Sequence, residues 1–268
     1  MTVIDSFIFF NEIELLKLRL KELDKVVDHF VLVEATKTFS NKNKNLFFQE
    51  RKNEFSFYAG RITHLVVDDM PDNRFWHSTR RSAWIRQELQ RNRIAEGIES
   101  LSPSPEDLIL ISDVDEIPDP ETIGRLKQSG YDEISNLVQD LYYYDLSWKH
   151  PEKWTLPILA SYRKIQPHLD NLHQLRIQRS TMEKKPLIQR GGWHFSYFGG
   201  VDAIITKIQN ISAHTEINKP EIANRENIQR LIKEGKDLLL RNDIDNFQYI
   251  DPSKNSYLPA NVNMLTAG

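Results

Sequence analysis

The chain has 268 residues, a formal net charge of −3 and no cysteine. Its length can bury a sizeable core, its charge offers no basic field for nucleic acid, and disulfides and cysteine-held zinc are excluded. No apolar run approaches the roughly 20 residues of a membrane span. Residues 1–4 run straight into a strand-like segment without a basic leader, so the expected location is cytoplasmic, with at most peripheral membrane contact.

Residues 3–10 are apolar and aromatic and read as a first strand. Asn11 and Glu12 then open a helix whose apolar face is Ile13, Leu15, Leu16, Leu18, Leu20 and Leu23. Residues 26–35 are a second strand, 37–44 a polar loop, 47–58 helical and 62–67 a third strand. Residues 78–97 form a charged amphipathic helix closed by Gly97. Residues 108–112 are a fourth strand, and 120–128 a short helix with Pro120 early and Gly130 after it. This alternation predicts an α/β fold, a Rossmann-like, mostly parallel sheet flanked by helices. The second half is less regular. Residues 134–148 and 156–165 read as strands of a smaller antiparallel portion, and 187–198 as an extended stretch broken by Gly191-Gly192. Residues 201–211 and 220–236 read as helices, and the polar tail from 242 wraps the surface.

The stretch LILISDVDEIP (108–118) carries the strongest chemical signal. An apolar run ending in acids reads as a buried strand delivering them to the carboxyl edge of the sheet, where α/β proteins place ligands. Alternation puts Asp113 and Asp115 on one side of the chain and Glu116 on the other. Crowded carboxylates are costly unless a cation lies between them. A divalent metal, Mn2+ or Mg2+, carrying a nucleotide diphosphate meets that need, with Asp115 the first-choice ligand. The bland alternative is a solvated acidic turn. Glu116 either holds a ligand water, orients Asp113, or is a surface carboxylate.

Asn11, Glu12 and Glu34 stand at the ends of the first two strands and should face the same crevice. Glu34 suits a uracil N–H or a ribose hydroxyl; helix capping for Asn11, a helix N-terminus for Glu12 and a solvated end for Glu34 are the alternatives. Arg86, Arg91 and Asn92 lie on the helix before the acidic strand and offer forked donors for phosphate or a base edge. Five residues apart, Arg86 and Arg91 do not share one face, so one faces the nucleotide and the other solvent. His194, between Gly191-Gly192-Trp193 and Phe195, is a metal ligand from the opposite side of the site, a donor to the diphosphate, or a hydrogen-bonded core histidine. The two glycines would let the backbone approach a ligand.

FFNEIELLKLRLKEL, VVDHFVLVEATKTFS, LILISDVDEIP, GGWHFSYFGG and DPSKNSYLP follow one another from Phe9 to about Pro259. In that order they resemble glycosyltransferase family 17. The resemblance implies a GT-A-like fold, a UDP-sugar donor (UDP-GlcNAc foremost), a divalent metal and inversion at the anomeric carbon. QRNRIAEG (90–97) resembles the Arg-Asn helix that precedes the D-x-D strand in many GT-A enzymes, and Asp113 then suits the ribose hydroxyls or a metal-bound water. An inverting transferase needs a carboxylate base. Asp202, an acid where the family carries one, is a candidate with helix capping as its alternative; Asp140 and Asp145, flanking Tyr142-Tyr143-Tyr144, are rivals. Acceptor sugars commonly stack on aromatics. Trp148 and Trp193 are the leading candidates, beside Trp154 and Tyr197.

The expected organisation is one domain, 1–268, with a nucleotide-sugar half (1–118) and an acceptor half (119–268). The expected reaction moves N-acetylglucosamine from UDP-GlcNAc to a hydroxyl of a glycan acceptor. Rival readings are another donor (UDP-glucose or a GDP-sugar), a non-catalytic carbohydrate-binding protein, and a metal-dependent phosphoryl hydrolase.

Overall fold

The computed structural model describes residues 1–73, 78–177, 185–210, 218–238 and 247–265. Its first half contains β1 (Val3–Phe9), α1 (Ile13–Leu23), β2 (His29–Ala35), α2 (Phe47–Glu50), β3 (Ile62–Val67), α3 (Thr79–Asn92), α4 (Ile94–Ser100) and β4 (Leu108–Asp113). The four strands lie parallel in the order β3-β2-β1-β4. β1 is buried throughout, as its unbroken apolar run demands of a parallel strand covered on both faces. Alternation sorts the core into two layers. Val3, Phe7, Phe30, Leu32 and Leu110 pack on one side with Leu16 and Leu20 of α1; Ile4, Ile8, Val31, Val33, Ile109 and Ile111 pack on the other with Ile94 and Ile98 of α4.

The second half contains β5 (Glu116–Pro118), α5 (Pro120–Ser129), β6 (Ile134–Tyr143), β7 (Trp148–Lys149), β8 (Ile158–Ser161), α6 (Tyr162–Ile165), α7 (Leu172–Ile177), β9 (Leu187–Ser196), α8 (Gly200–Asn210), α9 (Arg225–Glu234) and β10 (Gln248–Tyr249). β8 joins β4 antiparallel, and β6 joins β8 antiparallel. β6 also pairs in parallel with β9, and β9 antiparallel with β5. The α/β, GT-A-like expectation is therefore met: a Rossmann-like parallel half continued by antiparallel strands. Among the described residues, no helix is long and apolar enough to cross a membrane.

Several boundaries differ from the sequence reading. The helix expected over 78–97 breaks at Arg93 into α3 and α4. Gly97 does not close it. It lies inside α4, where a Cβ would stand 2.3 Å from Val31 Cγ1, so the glycine lets the helix press onto β2. The strand expected over 134–148 ends at Tyr143, because Tyr144 turns the chain at φ 69 and Asp145 Oδ1 accepts from the Ser147 amide at 2.7 Å. That over 156–165 becomes β8 and then α6. The helix over 220–236 shortens to α9, capped by Asn224 and ended by left-handed Gly235. Ile211, the last residue of the 201–211 helix, lies outside the described residues, as do residues 242–246 of the tail. The described tail does wrap the molecule. Tyr257 receives the Trp193 Nε1 proton on its carbonyl at 3.1 Å, and Val262, Met264 and Leu265 pack beside Leu15 and Leu18 of α1.

Gly191 and Gly192 serve backbone, not ligand. A Cβ on Gly191 would meet Val138 N at 2.6 Å, and one on Gly192 (φ +121) would meet Ile117 O at 2.1 Å. Here β9 passes between β5 and β6, and the register of β6 with β9 shifts between Leu137 and Gln139.

Candidate active site

A cleft of about 270 Å³ opens at the carboxyl ends of β1 and β4. Its floor is the turn from β4 into β5. Asp113 ends the strand, Val114 and Asp115 make the turn, and Glu116 returns so that its Oε2 accepts from the Asp113 amide at 2.7 Å. The turn breaks strand alternation. Glu116 therefore lines the cleft together with Asp113 and Asp115, not the opposite side of the chain.

Three arginines brace this floor. Arg19 of α1 is fully buried beneath the turn. It grips Asp5 through Nε and Nη2 (2.7 and 2.6 Å) and Ser112 Oγ at 2.5 Å. Its Nη1 donates to the carbonyls of Asp113, Val114 and Glu116 at 2.9, 3.3 and 2.8 Å. Arg91 donates from Nη2 to both Asp113 oxygens, at 2.8 and 3.1 Å. Arg176 of α7 donates to Asp113 Oδ2 at 3.3 Å and also to Glu116 Oε1, an oxygen that further accepts from Trp154 Nε1 at 2.5 Å. Burial raises the Asp113 carboxyl, but Arg176 and Arg91 outweigh it and hold the group below the usual carboxylate range. On its other side Arg91 Nη1 meets His173 Nδ1 at 2.6 Å. Burial and the Arg91 charge push that imidazole down to about 4, so it is neutral and accepts.

Asp115 sits in different company. Lys207 of α8 places Nζ 2.7 Å from Asp115 Oδ2 and 3.6 Å from Glu12 Oε1. His194 Nε2 stands 3.7 Å from Asp115 Oδ1. Burial raises the Asp115 carboxyl, yet Lys207 and His194 hold it far below its ordinary value. Burial lowers the Lys207 ammonium, yet Asp115 and Glu12 hold it above the ordinary lysine range. Trp154 packs on the His194 ring with centroids 4.7 Å apart, and Tyr143 and Tyr197 complete an aromatic wall.

Of the residues singled out from sequence, the structure brings Glu12, Asp113, Asp115, Glu116, Trp154, His194 and Tyr197 together in the cleft. The others lie elsewhere. Asn11 is not among the lining residues. Glu34 is fully buried and matched by Lys44 at 3.1 Å and His64 at 3.2 Å, which leaves neither a solvated end nor an open acceptor. Arg86 is buried on the carbonyls of Phe39 and Pro71 and on Asn73 Oδ1, where it holds the loop beside the cleft. Neither Arg86 nor Arg91 faces solvent. Asn92 Oδ1 accepts from the His173 amide at 2.9 Å and so ties α3 to α7. Asp140 is buried between Lys149 and Lys153. Asp202 is exposed over 79% of its side chain and pairs with Arg225. Trp148 packs against Gly235, and Trp193 is buried against Tyr257, both away from the cleft.

Lys207, Arg176 and Arg19 were missed from sequence. Lys207 left a trace as the lone cation of VDAIITKI, and Asp5, the buried partner of Arg19, is the lone charge of the apolar run VIDSFIFF; Arg19 itself is one charge among several in IELLKLRLKEL.

Among the described residues, no group of three or more His, Asp and Glu side chains is set to hold a metal. Asp113 has both oxygens committed to arginines. Asp115 and His194, whose Nε2 stands 3.7 Å from Asp115 Oδ1 without a hydrogen bond between them, remain as a two-residue donor set. Such a pair fits a divalent ion that takes its other ligands from phosphate and water.

The family model for glycosyltransferase family 17 matches residues 1–250. The chain belongs to that family. It is 28% identical over 154 residues to the beta-1,4-mannosyl-glycoprotein 4-beta-N-acetylglucosaminyltransferases of Rattus norvegicus and Homo sapiens. Each match covers 56% of this chain and 28% of the relative, so the chain spans under a third of their length. Among solved structures, HddC from Yersinia pseudotuberculosis aligns over 74% of this chain and 90% of its own at 8% identity and a TM-score of 0.38, too loose a likeness to bear on function.

Proposed function

We propose that the protein is a metal-dependent, inverting N-acetylglucosaminyltransferase that moves the sugar from UDP-GlcNAc to a hydroxyl of a glycan acceptor, with residues 1–118 and 119–268 working as one domain. The observation that carries this reading is Asp115. It is a buried, ionised carboxylate in a cleft at the strand ends, held by an exchangeable ammonium and an imidazole. Membership of the family supports the sugar-transfer class, and the names of the matched relatives support N-acetylglucosamine.

Asp115 and His194 would hold the ion, whose chemistry when bound is to neutralise charge on the departing diphosphate. Arg19, Arg91 and Arg176 fix the turn before any ligand arrives, so little reorganisation is needed during reaction. Trp154, Tyr143 and Tyr197 give the sugar an aromatic face. Asp140 and Asp202, the carboxylates expected as base, are each paired with cations and stand outside the lining of the cleft.

The test is UDP release from UDP-GlcNAc, UDP-glucose and GDP-mannose, with a glycan acceptor and manganese present. Release from UDP-GlcNAc above the other two, lost in Asp115→Asn and after chelation, is the expected result. Equal release from all donors, or chelation without effect, overturns the reading.

A further inference from the structure

Among the described residues three lysines line the cleft, and their partners differ. Lys44 lies 3.1 Å from Glu34, a fully buried carboxylate that His64 also meets at 3.2 Å, and is tied down further by donating to the Asn45 carbonyl at 3.0 Å. Lys37 pairs with Asp72 at the exposed rim, at 2.7 Å. Lys207 reaches Asp115, which keeps His194 as a neighbour if the lysine leaves. The backbone under Lys207 is anchored: Ser40 donates from its amide to the Asn210 carbonyl (3.3 Å) and from Oγ to the Gln209 carbonyl (3.1 Å). The lysine stem is flexible, and its Nζ stands 5.6 Å from the Tyr197 ring centroid. An ammonium on such a stem is a compact charge that can turn to a new anion without breaking a planar fork, as an arginine would have to. Asp113 and Glu116 face the opposite situation, gripped by Arg91 and Arg176, which cannot leave without stranding them.

We propose that Lys207 is the diphosphate-binding cation of this cleft, resting on Asp115 and Glu12 while the cleft is empty and turning to the phosphates when a nucleotide donor enters. The inference rests on the nucleotide-sugar reading above. It makes Lys207 a stored charge: Asp115 holds the ammonium 2.7 Å away, and its release leaves Asp115 open on the side the lysine had filled. As the acceptor oxygen bonds to the anomeric carbon and gives up its proton to a base or water, the bond from that carbon to the phosphate oxygen breaks and its electron pair stays on the nucleoside diphosphate, where the ammonium stands ready to offset it.

The experiment is calorimetric titration of UDP and of uridine into the parent, Lys207→Met and Lys207→Arg, with manganese and with chelator. The parent should bind UDP more tightly than uridine. Lys207→Met should lose roughly 10- to 100-fold in UDP affinity, the worth of one charged hydrogen-bonding contact. Its uridine affinity should match the parent's, which also certifies that the cleft is folded. Lys207→Arg, which restores the charge but must release its planar fork from Asp115, should bind UDP more tightly than Lys207→Met and less tightly than the parent; binding no tighter than Lys207→Met overturns the proposal. Lys207→Met binding UDP as the parent does, or losing UDP and uridine alike, overturns the proposal and leaves the transferase reading standing. A parent that binds neither ligand in either buffer overturns both.

Discussion

Two sides of one turn invite comparison. Asp113 and Asp115 are two residues apart, both acidic and both ionised, yet their surroundings differ in kind. Asp113, with Glu116, belongs to a floor of arginines: buried, forked and shared, each guanidinium serving more than one oxygen. Asp115 belongs to a mouth closed by one lysine and one histidine. The difference teaches a division of labour. Multiply bonded arginines fix geometry, because removing one strands several acceptors at once. A single ammonium fixes nothing permanently and can be exchanged for a ligand.

The floor should fail first in stability. Arg19→Met leaves Asp5 buried without its cation and frees three turn carbonyls; urea unfolding should show a loss of about 3–5 kcal/mol. A loss below about 1 kcal/mol would erase the distinction between floor and mouth. The mouth should fail in chemistry. Asp115→Asn should keep the fold, read by near-ultraviolet circular dichroism, while sugar transfer falls by roughly 100- to 1,000-fold.

The floor also predicts a pH dependence. His173 is neutral in the fold because its pKa drops from 6.5 to about 4. The unfolded chain therefore binds the proton more readily, and stability from this group is complete above pH 6.5 and is lost as pH falls toward about 4. The urea midpoint of the parent should decline across that window, and His173→Gln, which still offers Arg91 an acceptor, should decline less. Equal slopes would mean that His173 is not held neutral. The smallest effects belong outside both regions. Asp202→Asn removes an exposed ion pair with Arg225 and should change stability by under about 1 kcal/mol and leave transfer near the parental rate. A large rate loss there would make Asp202 the carboxylate base.

The parallel half was legible because its strands are buried on both faces and its helices follow a 3.6-residue period, so β1, β2, β3 and β4 fall within a few residues of expectation. The acidic turn was legible for a related reason: an apolar strand running into acids has few other meanings. The boundaries that moved were set by long-range contacts. Gly97 reads as a helix end until Val31 is placed against it, and Gly191-Gly192 as ligand-facing until β5 and β6 close on them. Arg86 and Arg91 read as one nucleotide-facing and one solvated residue because charge on a helix usually meets a ligand or water; both are buried by partners distant in sequence, Arg86 on Phe39 and Asn73, Arg91 on Asp113.

The sequence alone determined the α/β class, the strand that carries the acids and the family, since each rests on local pattern and motif order. Tertiary structure decided which charges meet. Lys207 joins Asp115 across 92 residues, Arg176 joins Glu116 across 60, and Arg19 joins the turn carbonyls across more than 90. No local period encodes those meetings, because a buried ion pair is selected by the cost of leaving either partner alone in the interior, and that cost exists only after the chain has folded.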